Sequence, residues 1–397
     1  MSVSGRAAIL GAEPAFPETV PITQPTLPGY EALEDNFREV IRSGMVTNGK
    51  WVRELEATAQ QALAVQNAVA LSSCTAGLML SWKGLGVSPG GEVILPSFTF
   101  SATGHPLLWN GLTPRFVDIE PDTLLLDPAL VEAAVNDRTV AICAVHTFGN
   151  PCYPDRLEEI AKRHGLKLVF DSAHAMGSTY LGRPVGGFGD VEVFSLSPTK
   201  LVVAAEGGLA VAKDEAVARH FRIGRDYGNP GNYDCEFPGI NARMSEFHAL
   251  LALETLRRLP ENVERRRTMA ARYAKGLSGV PGIGLQRLVA GGESTFKDFP
   301  LLVREGEFGL SRDQLAQALQ AENVMTRKYF YPALHQQQAY AEFRDSVSGD
   351  LRVTEAVAAS VLCMPMFSHI EEESVDRICE TIGRIHEQNA EIRAAIG

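Results

Sequence analysis

Leu166-Lys167-Leu168-Val169-Phe170-Asp171-Ser172-Ala173-His174 reads as a strand that ends on a carboxylate. Farther along, Val191-Glu192-Val193-Phe194 is a second strand-like run, and Ser195-Leu196-Ser197-Pro198-Thr199-Lys200 follows it directly. A carboxylate and an amine, each delivered at a strand end, is how an α/β enzyme assembles a site. The pair suits pyridoxal phosphate. A lysine holds that cofactor's aldehyde as a Schiff base, and an aspartate pairs with its protonated pyridine nitrogen.

The same strand pattern continues on both sides. Strands are expected at Ala68–Leu71, Glu92–Leu95, Pro114–Val117, Val140–Val145, Lys167–Phe170, Glu192–Ser195 and Gly208–Val211. Helical patterns fall between many of them, as at Ala76–Gly84, Pro128–Ala134 and Pro154–Arg163. This alternation predicts an α/β fold with a mainly parallel seven-stranded sheet between helices. Upstream, Tyr30–Ser43 and Val52–Ala64 read as helices separated by the turn Asn48-Gly49.

After Val211 the pattern changes. Residues 245–277 are strongly helical with an interruption near Pro260. Beyond them, strands are expected at Phe299–Val303 and Val324–Arg327, and helices at Arg312–Ala321, Thr354–Val361 and Glu372–Ala394. The expected organisation is a Pro- and Gly-rich N-terminal arm (1–30), a large cofactor-binding domain (31–260) and a smaller C-terminal α+β domain (261–397).

The composition is that of an ordinary globular chain: 397 residues, 45% hydrophobic and 21% charged. The net charge of −11 and the lack of a dominant basic run argue against nucleic acid as a partner. Arg257-Arg258 and Arg265-Arg266-Arg267 read as a solvated helix face. The N-terminus has no signal pattern, and no apolar run approaches the ~18 residues of a membrane span. Cys74, Cys143, Cys152, Cys235, Cys363 and Cys379 form no C-x-x-C pair, so no metal site is expected. Such scattered cysteines suit reduced thiols in a cytoplasm.

Four segments carry the chemistry. Ser72-Ser73-Cys74-Thr75-Ala76-Gly77 lies between a strand and a helix. Its small residues let backbone N–H groups and a Thr hydroxyl approach an anion such as a cofactor phosphate; a plain helix cap is the alternative. Pro96-Ser97-Phe98-Thr99-Phe100-Ser101-Ala102-Thr103 puts an aromatic at a strand end, either to stack on a flat ring or to fill the core. Asp171 either caps the next helix or faces a cofactor. His174, three residues on, is either structural or a donor to a cofactor's phenolic oxygen. Ser195 is a phosphate candidate. Lys200 has small and apolar flanks, and Glu206-Gly207-Gly208 leads back into a strand. A lysine held away from water has a lowered pKa, which favours the free amine that imine chemistry needs.

Together these segments resemble the DegT/DnrJ/StrS family of pyridoxal phosphate-dependent sugar aminotransferases. Other landmarks are Ser43-Gly44 with Thr47-Asn48-Gly49, Gly91 through Phe100, Phe116-Val117-Asp118-Ile119, Asn241-Ala242-Arg243-Met244-Ser245-Glu246, and Tyr331-Pro332-Ala333-Leu334-His335. The resemblance implies a fold-type I transferase that works as a homodimer with shared active sites. It implies that Lys200 forms the Schiff base, Asp171 holds the pyridine nitrogen, and Phe100 stacks on the ring. It places His174 near the phenolic oxygen, and Cys74, Thr75, Ala76 and Ser195 at the phosphate. Asn241 and Arg243 are expected to reach the neighbouring subunit's cofactor. Thr47, Glu206 and His335 are expected at the substrate.

Two positions depart from the family pattern: Cys74 stands where Gly is usual, and His174 where Gln is common. Relatives with His in place of the lysine are sugar dehydrases, and Lys200 argues against that chemistry. The implied reaction moves an amino group from an amino acid, most often glutamate, to a nucleotide-linked keto-deoxysugar. The pattern is most like the 4-aminotransferases of dTDP-4-keto-6-deoxyhexoses. A sugar dehydrase or lyase and an aminocyclitol aminotransferase are the alternatives. A cofactor-bound regulator would need a recognition module, and neither a basic helix-turn-helix pattern nor spare length for one is present.

Overall fold

The computed structural model describes residues 5–396. Residues 1–4 of the expected arm and Gly397 of the expected small domain lie outside the described residues.

The large sheet is built from β1 (Ala68–Leu71), β2 (Glu92–Pro96), β3 (Thr113–Val117), β4 (Thr139–Val145), β5 (Lys167–Asp171), β6 (Val191–Ser195) and β7 (Gly208–Ala212). Its seven strands run in the order β1-β7-β6-β5-β4-β2-β3. The pairs β2–β3, β2–β4, β4–β5 and β5–β6 are parallel, and β7 is antiparallel to both β1 and β6. The expected mainly parallel seven-stranded sheet is therefore the observed one.

Alternate residues of each strand feed two separate apolar layers. Leu168 and Phe170 of β5 join Ile142, Ala144 and Phe194 on one face, beneath Leu55 and Leu253 of helices Lys50–Leu63 and Glu246–Arg257. Val169 joins Cys143, Val191 and Val193 on the other, against Leu78, Trp82 and Phe221 of helices Cys74–Gly84 and Glu215–Gly224. Burial on both faces is why these strands read as continuous apolar runs. Each fully buried Val, Leu, Ile or Phe contributes about 1.5–3 kcal/mol relative to exposure.

Two glycines and one carboxylate set the local geometry. A Cβ on Gly208, the first residue of β7, would lie 2.4 Å from Ser73 C and 2.5 Å from Cys74 N. Glycine there lets β7 run against the start of helix Cys74–Gly84. Glu246 is buried, and its carboxylate accepts the N–H groups of Gly49 at 2.8 Å, Trp51 at 2.9 Å and Val52 at 3.0 Å. It thus satisfies the orphan donors that open helix Lys50–Leu63, and its charge suits the positive helix end. A Cβ on Gly49 would collide with that carboxyl group. The landmarks Thr47-Asn48-Gly49 and Met244-Ser245-Glu246 are therefore two halves of one contact.

The helical stretch after residue 245 is two helices, Glu246–Arg257 and Leu259–Leu277, broken at Arg258 with Pro260 in the first turn of the second. A three-stranded antiparallel sheet follows, with Phe299–Val303 between Ile283–Leu285 and Val361–Met364. Helices Arg312–Ala321, Arg352–Ser360 and Glu372–Glu387 accompany it. Three expectations change here. Arg266 is not on a solvated helix face: it is buried and donates to Ser368 Oγ and the Lys297 carbonyl. Val324–Arg327 is not a strand: Val324 bridges only to Val20, and Arg327 only to Cys363. The ladder partner is Val361–Met364, which begins where helix Arg352–Ser360 ends. The last helix also divides at Gln388, where Asn389 donates its side-chain amide to the His386 carbonyl. Ala7 and Phe16 from the N-terminal segment are buried in this second core, beside Leu319 and Val324.

Candidate active site

The parallel strands all deliver their carboxyl ends to one side of the sheet, where α/β enzymes place ligands. Ser73–Thr75 follow β1, Phe98–Phe100 follow β2, Asp171 ends β5, Ser195 ends β6, and Lys200 lies in the loop after β6. Cys74, Thr75, Phe100, Asp171, His174, Ser195, Lys200 and Glu206 line a single cavity of about 350 Å³.

Asp171 is buried. Thr103 donates to its Oδ2 at 2.6 Å, and the Ala173 N–H donates to its Oδ1 at 3.1 Å. Burial raises its pKa, while the hydrogen bonds from Thr103 and Ala173 and the charge of Lys200 pull it back. Burial first, and then the charge of Lys297, lowers the pKa of Lys200 to about 8. About a tenth of the amine is therefore uncharged at pH 7, far more than for an ordinary lysine. His174 is held well below its usual pKa by burial, with Lys200 and Lys297 adding to the effect.

The start of helix Cys74–Gly84 faces the cavity with the geometry of an anion cradle. Ser73 caps it, its Oγ accepting the Ala76 N–H at 3.1 Å. The N–H groups of Cys74 and Thr75 lie in the first turn, where no preceding helical carbonyl reaches them. These donors, the Thr75 hydroxyl and the nearby Ser195 suit a phosphate at a positive helix end. The Cys74 thiol donates to the Val193 carbonyl at 3.6 Å, and burial pushes its pKa up. Its useful group is thus the backbone, which a cysteine supplies as well as a glycine does.

Five expected residues lie elsewhere. Ala76 is buried behind the cradle. Thr47 donates to the Met244 carbonyl at 2.9 Å. Asn241 bridges to Asp226, which also pairs with Arg243, and the Arg243 guanidinium sits 5.4 Å over the Tyr227 ring. His335 is buried, with Nδ1 2.7 Å from Ser97 Oγ and Nε2 3.2 Å from Glu355.

Reading the sequence missed Thr103, Lys297, Asp298, Tyr329 and Phe330. The last four line the cavity from the C-terminal part of the chain. The Lys297-Asp298 pair directly before the apolar strand Phe299–Val303 is the one local signal that pointed to it. Among the described residues no cluster of His, Cys, Asp and Glu is arranged to hold a metal ion. No helix among them is long and apolar enough to cross a membrane.

The sheet order, the amine and carboxylate at strand ends and the anion cradle define a fold-type I α/β transferase. The chain belongs to the DegT/DnrJ/EryC1/StrS aminotransferase family, whose model matches residues 30–383. It is 32% identical to the dTDP-4-amino-4,6-dideoxy-D-glucose transaminase of Escherichia coli over 367 residues, 92% of this chain and 98% of that protein. It matches the crystal structure of DesI, determined in the presence of its TDP-sugar product, with a TM-score of 0.91 and 37% identity over 98% of each chain. Spr1654 of Streptococcus pneumoniae in its PLP-form aligns with a TM-score of 0.85 and 28% identity, over 94% of this chain and 99% of that one. A PMP-form of the same protein is also known.

Proposed function

We propose that this protein transfers the amino group of glutamate to C4 of a dTDP-linked 4-keto-6-deoxyhexose, with pyridoxal phosphate as its cofactor. The observation that carries the reading is the single cavity in which Lys200 and Asp171 stand with the N-terminus of helix Cys74–Gly84. These residues fit the group: an amine of lowered pKa for its aldehyde, a hydrogen-bonded carboxylate for its pyridine nitrogen, and unpaired N–H donors for its phosphate. The amino-sugar direction follows from the names of the Escherichia coli relative and of DesI.

We assign Lys200 to the aldehyde, Asp171 to the ring nitrogen and His174 to the phenolic oxygen. Phe100 is assigned to the ring face, and Cys74, Thr75 and Ser195 to the phosphate, with Ala76, whose N–H meets Ser73, supporting the helix start behind them. When bound, the cofactor supplies an electron sink that acidifies the carbon bearing the amine. Lys200 takes the α-proton of the amino acid as general base and later delivers a proton to the sugar carbon that receives the amine. Asp171 must stay ionised for its role, which the hydrogen bonds from Thr103 and Ala173 favour.

A second cavity of about 800 Å³ meets the first at Thr99, Phe100, Tyr329 and Phe330. It carries Arg327 and Lys328, the latter paired with Asp313 at 2.6 Å, as cations that suit the diphosphate of a nucleotide sugar. Glu206 is assigned to the inner sugar site, and Thr47 and His335 to its surroundings. Asn241 and Arg243 are assigned to the cofactor site of a second subunit in a homodimer. Exposed Tyr227 and Tyr233 on the same segment suit such a surface. The assigned organisation is an arm at 1–30, a cofactor domain at 31–260 and a smaller domain at 261–397, in a cytoplasmic enzyme.

The test adds glutamate, and then a dTDP-linked 4-keto-6-deoxyhexose, to protein loaded with pyridoxal phosphate. Glutamate should bleach the visible absorption of the lysine-bound cofactor. The sugar should restore it and emerge as the 4-amino sugar. Protein that never acquires that absorption refutes the reading.

A further inference from the structure

Lys297 and Asp298 are adjacent in sequence, 3% and 4% exposed, and both line the cavity that holds Lys200. Lys297 Nζ reaches both oxygens of Asp298, at 2.8 and 3.0 Å. Their backbone is held in place: the Lys297 N–H donates to the Phe148 carbonyl at 3.2 Å, and Arg266 donates to the Lys297 carbonyl at 2.9 Å. Burying an ion pair is a poor route to stability, because the desolvation penalty rivals the attraction. The neighbouring Phe299 already packs in the apolar core. The pair therefore calls for a role beyond packing.

Its unused hydrogen-bonding capacity indicates one. An ammonium has three N–H donors. Two face Asp298, and among the described residues no acceptor meets the third. Asp298 accepts from no other group among those residues, so its carboxylate keeps free lone pairs. The pair is neutral overall, so it does not single out an anion. It offers a donor beside an acceptor, and a hydroxyl group can engage both at once. It also stands on the side through which the outer cavity enters: Lys297 Nζ is 5.4 Å from the Tyr329 ring centroid, and Tyr329 lines both cavities.

We propose that Lys297 and Asp298 recognise a hydroxyl on the sugar carbon next to the reacting carbonyl, and so select acceptors that carry it. The inference rests on the aminotransferase reading above. Lys297 would donate to the hydroxyl oxygen while Asp298 accepts its proton.

The test compares the wild type with Asp298→Asn and with the double variant Lys297→Met/Asp298→Asn, which leaves no unpaired buried charge. The substrates are glutamate and two nucleotide-linked 4-keto sugars, with and without the neighbouring hydroxyl. Calorimetry with the corresponding amino-sugar product gives binding independent of turnover. The double variant should raise KM for the hydroxylated acceptor and weaken product binding by about tenfold or more. Any change that the lost charges impose on Lys200 should fall equally on both acceptors, so the ratio of their KM values should rise by about tenfold. Equal losses for both sugars, or a loss confined to glutamate, would overturn the assignment. Wild-type protein whose cofactor ignores glutamate sinks the aminotransferase reading and this one with it. A normal glutamate response with unchanged hydroxyl discrimination in the double variant sinks this one alone.

Discussion

The backbone N–H of Phe148 donates to Nδ1 of His174 at 3.2 Å. A backbone N–H can only donate, so Nδ1 is the acceptor and the neutral ring carries its proton on Nε2. The ring lies nearly parallel to those of Phe148 and Phe330, each with centroids 6.2 Å away. His174 is thereby a fixed neutral donor rather than a titrating base.

Nitrogen-15 NMR of the histidine rings should thus show His174 as the Nε2–H tautomer, without titration between about pH 5 and 8. The folded pKa lies well below the ordinary 6.5. Below pH 6.5 the unfolded chain gains a proton that the native ring refuses, so this group lowers stability as the pH falls through that window. In His174→Gln the melting temperature should decline less between pH 6.5 and the acid limb. An unchanged decline would contradict the shifted ring.

Lys200, with its pKa lowered to about 8, should capture pyridoxal phosphate faster as pH rises through that value, and the rate should level off above it. Lys200→Ala should retain the cofactor through the cradle and Asp171. Its turnover should fall by about 10³-fold or more, from the loss of both imine formation and proton transfer. Single-turnover assays on gel-filtered protein measure both. Retained turnover would refute the mechanism.

Thr103→Val removes a hydrogen bond to a buried carboxylate, an interaction worth about 1.5–3 kcal/mol. With that bond lost, the pKa of Asp171 rises further, and kcat should fall about tenfold near neutral pH and partly recover in alkali. Asp171→Asn should lose far more and recover nothing. Rate profiles with the same sign for both variants would show that Thr103 acts otherwise.

Gly208→Ala would push a methyl group against the backbone of Ser73 and Cys74. The expected cost is about 1–3 kcal/mol, felt at the cradle. Affinity for pyridoxal phosphate should drop, while affinity for pyridoxal without its phosphate changes little. Equal losses for the two ligands would mean that the helix start does not hold the phosphate.

The seven strands, Asp171 and Lys200 were legible in the sequence because their signals are local. A strand buried on both faces is a continuous apolar run, and a helix start against a sheet demands small residues such as Ser73 and Gly208. The runs at Val324–Arg327 and Glu372–Ala394 misled because short apolar patterns do not reveal whether a ladder partner exists or where a side chain competes for a carbonyl. The chain's local chemistry by itself determined the α/β frame and put Asp171 and Lys200 at the carboxyl edge of its sheet. Only the tertiary structure decided that Thr103 meets Asp171, that Phe148 orients His174, and that Lys297 and Asp298 stand in the same cavity as Lys200. Thr103 and Phe148 meet Asp171 and His174 because strands of the large sheet end side by side, and Lys297 and Asp298 arrive just before the strand that packs in the second core.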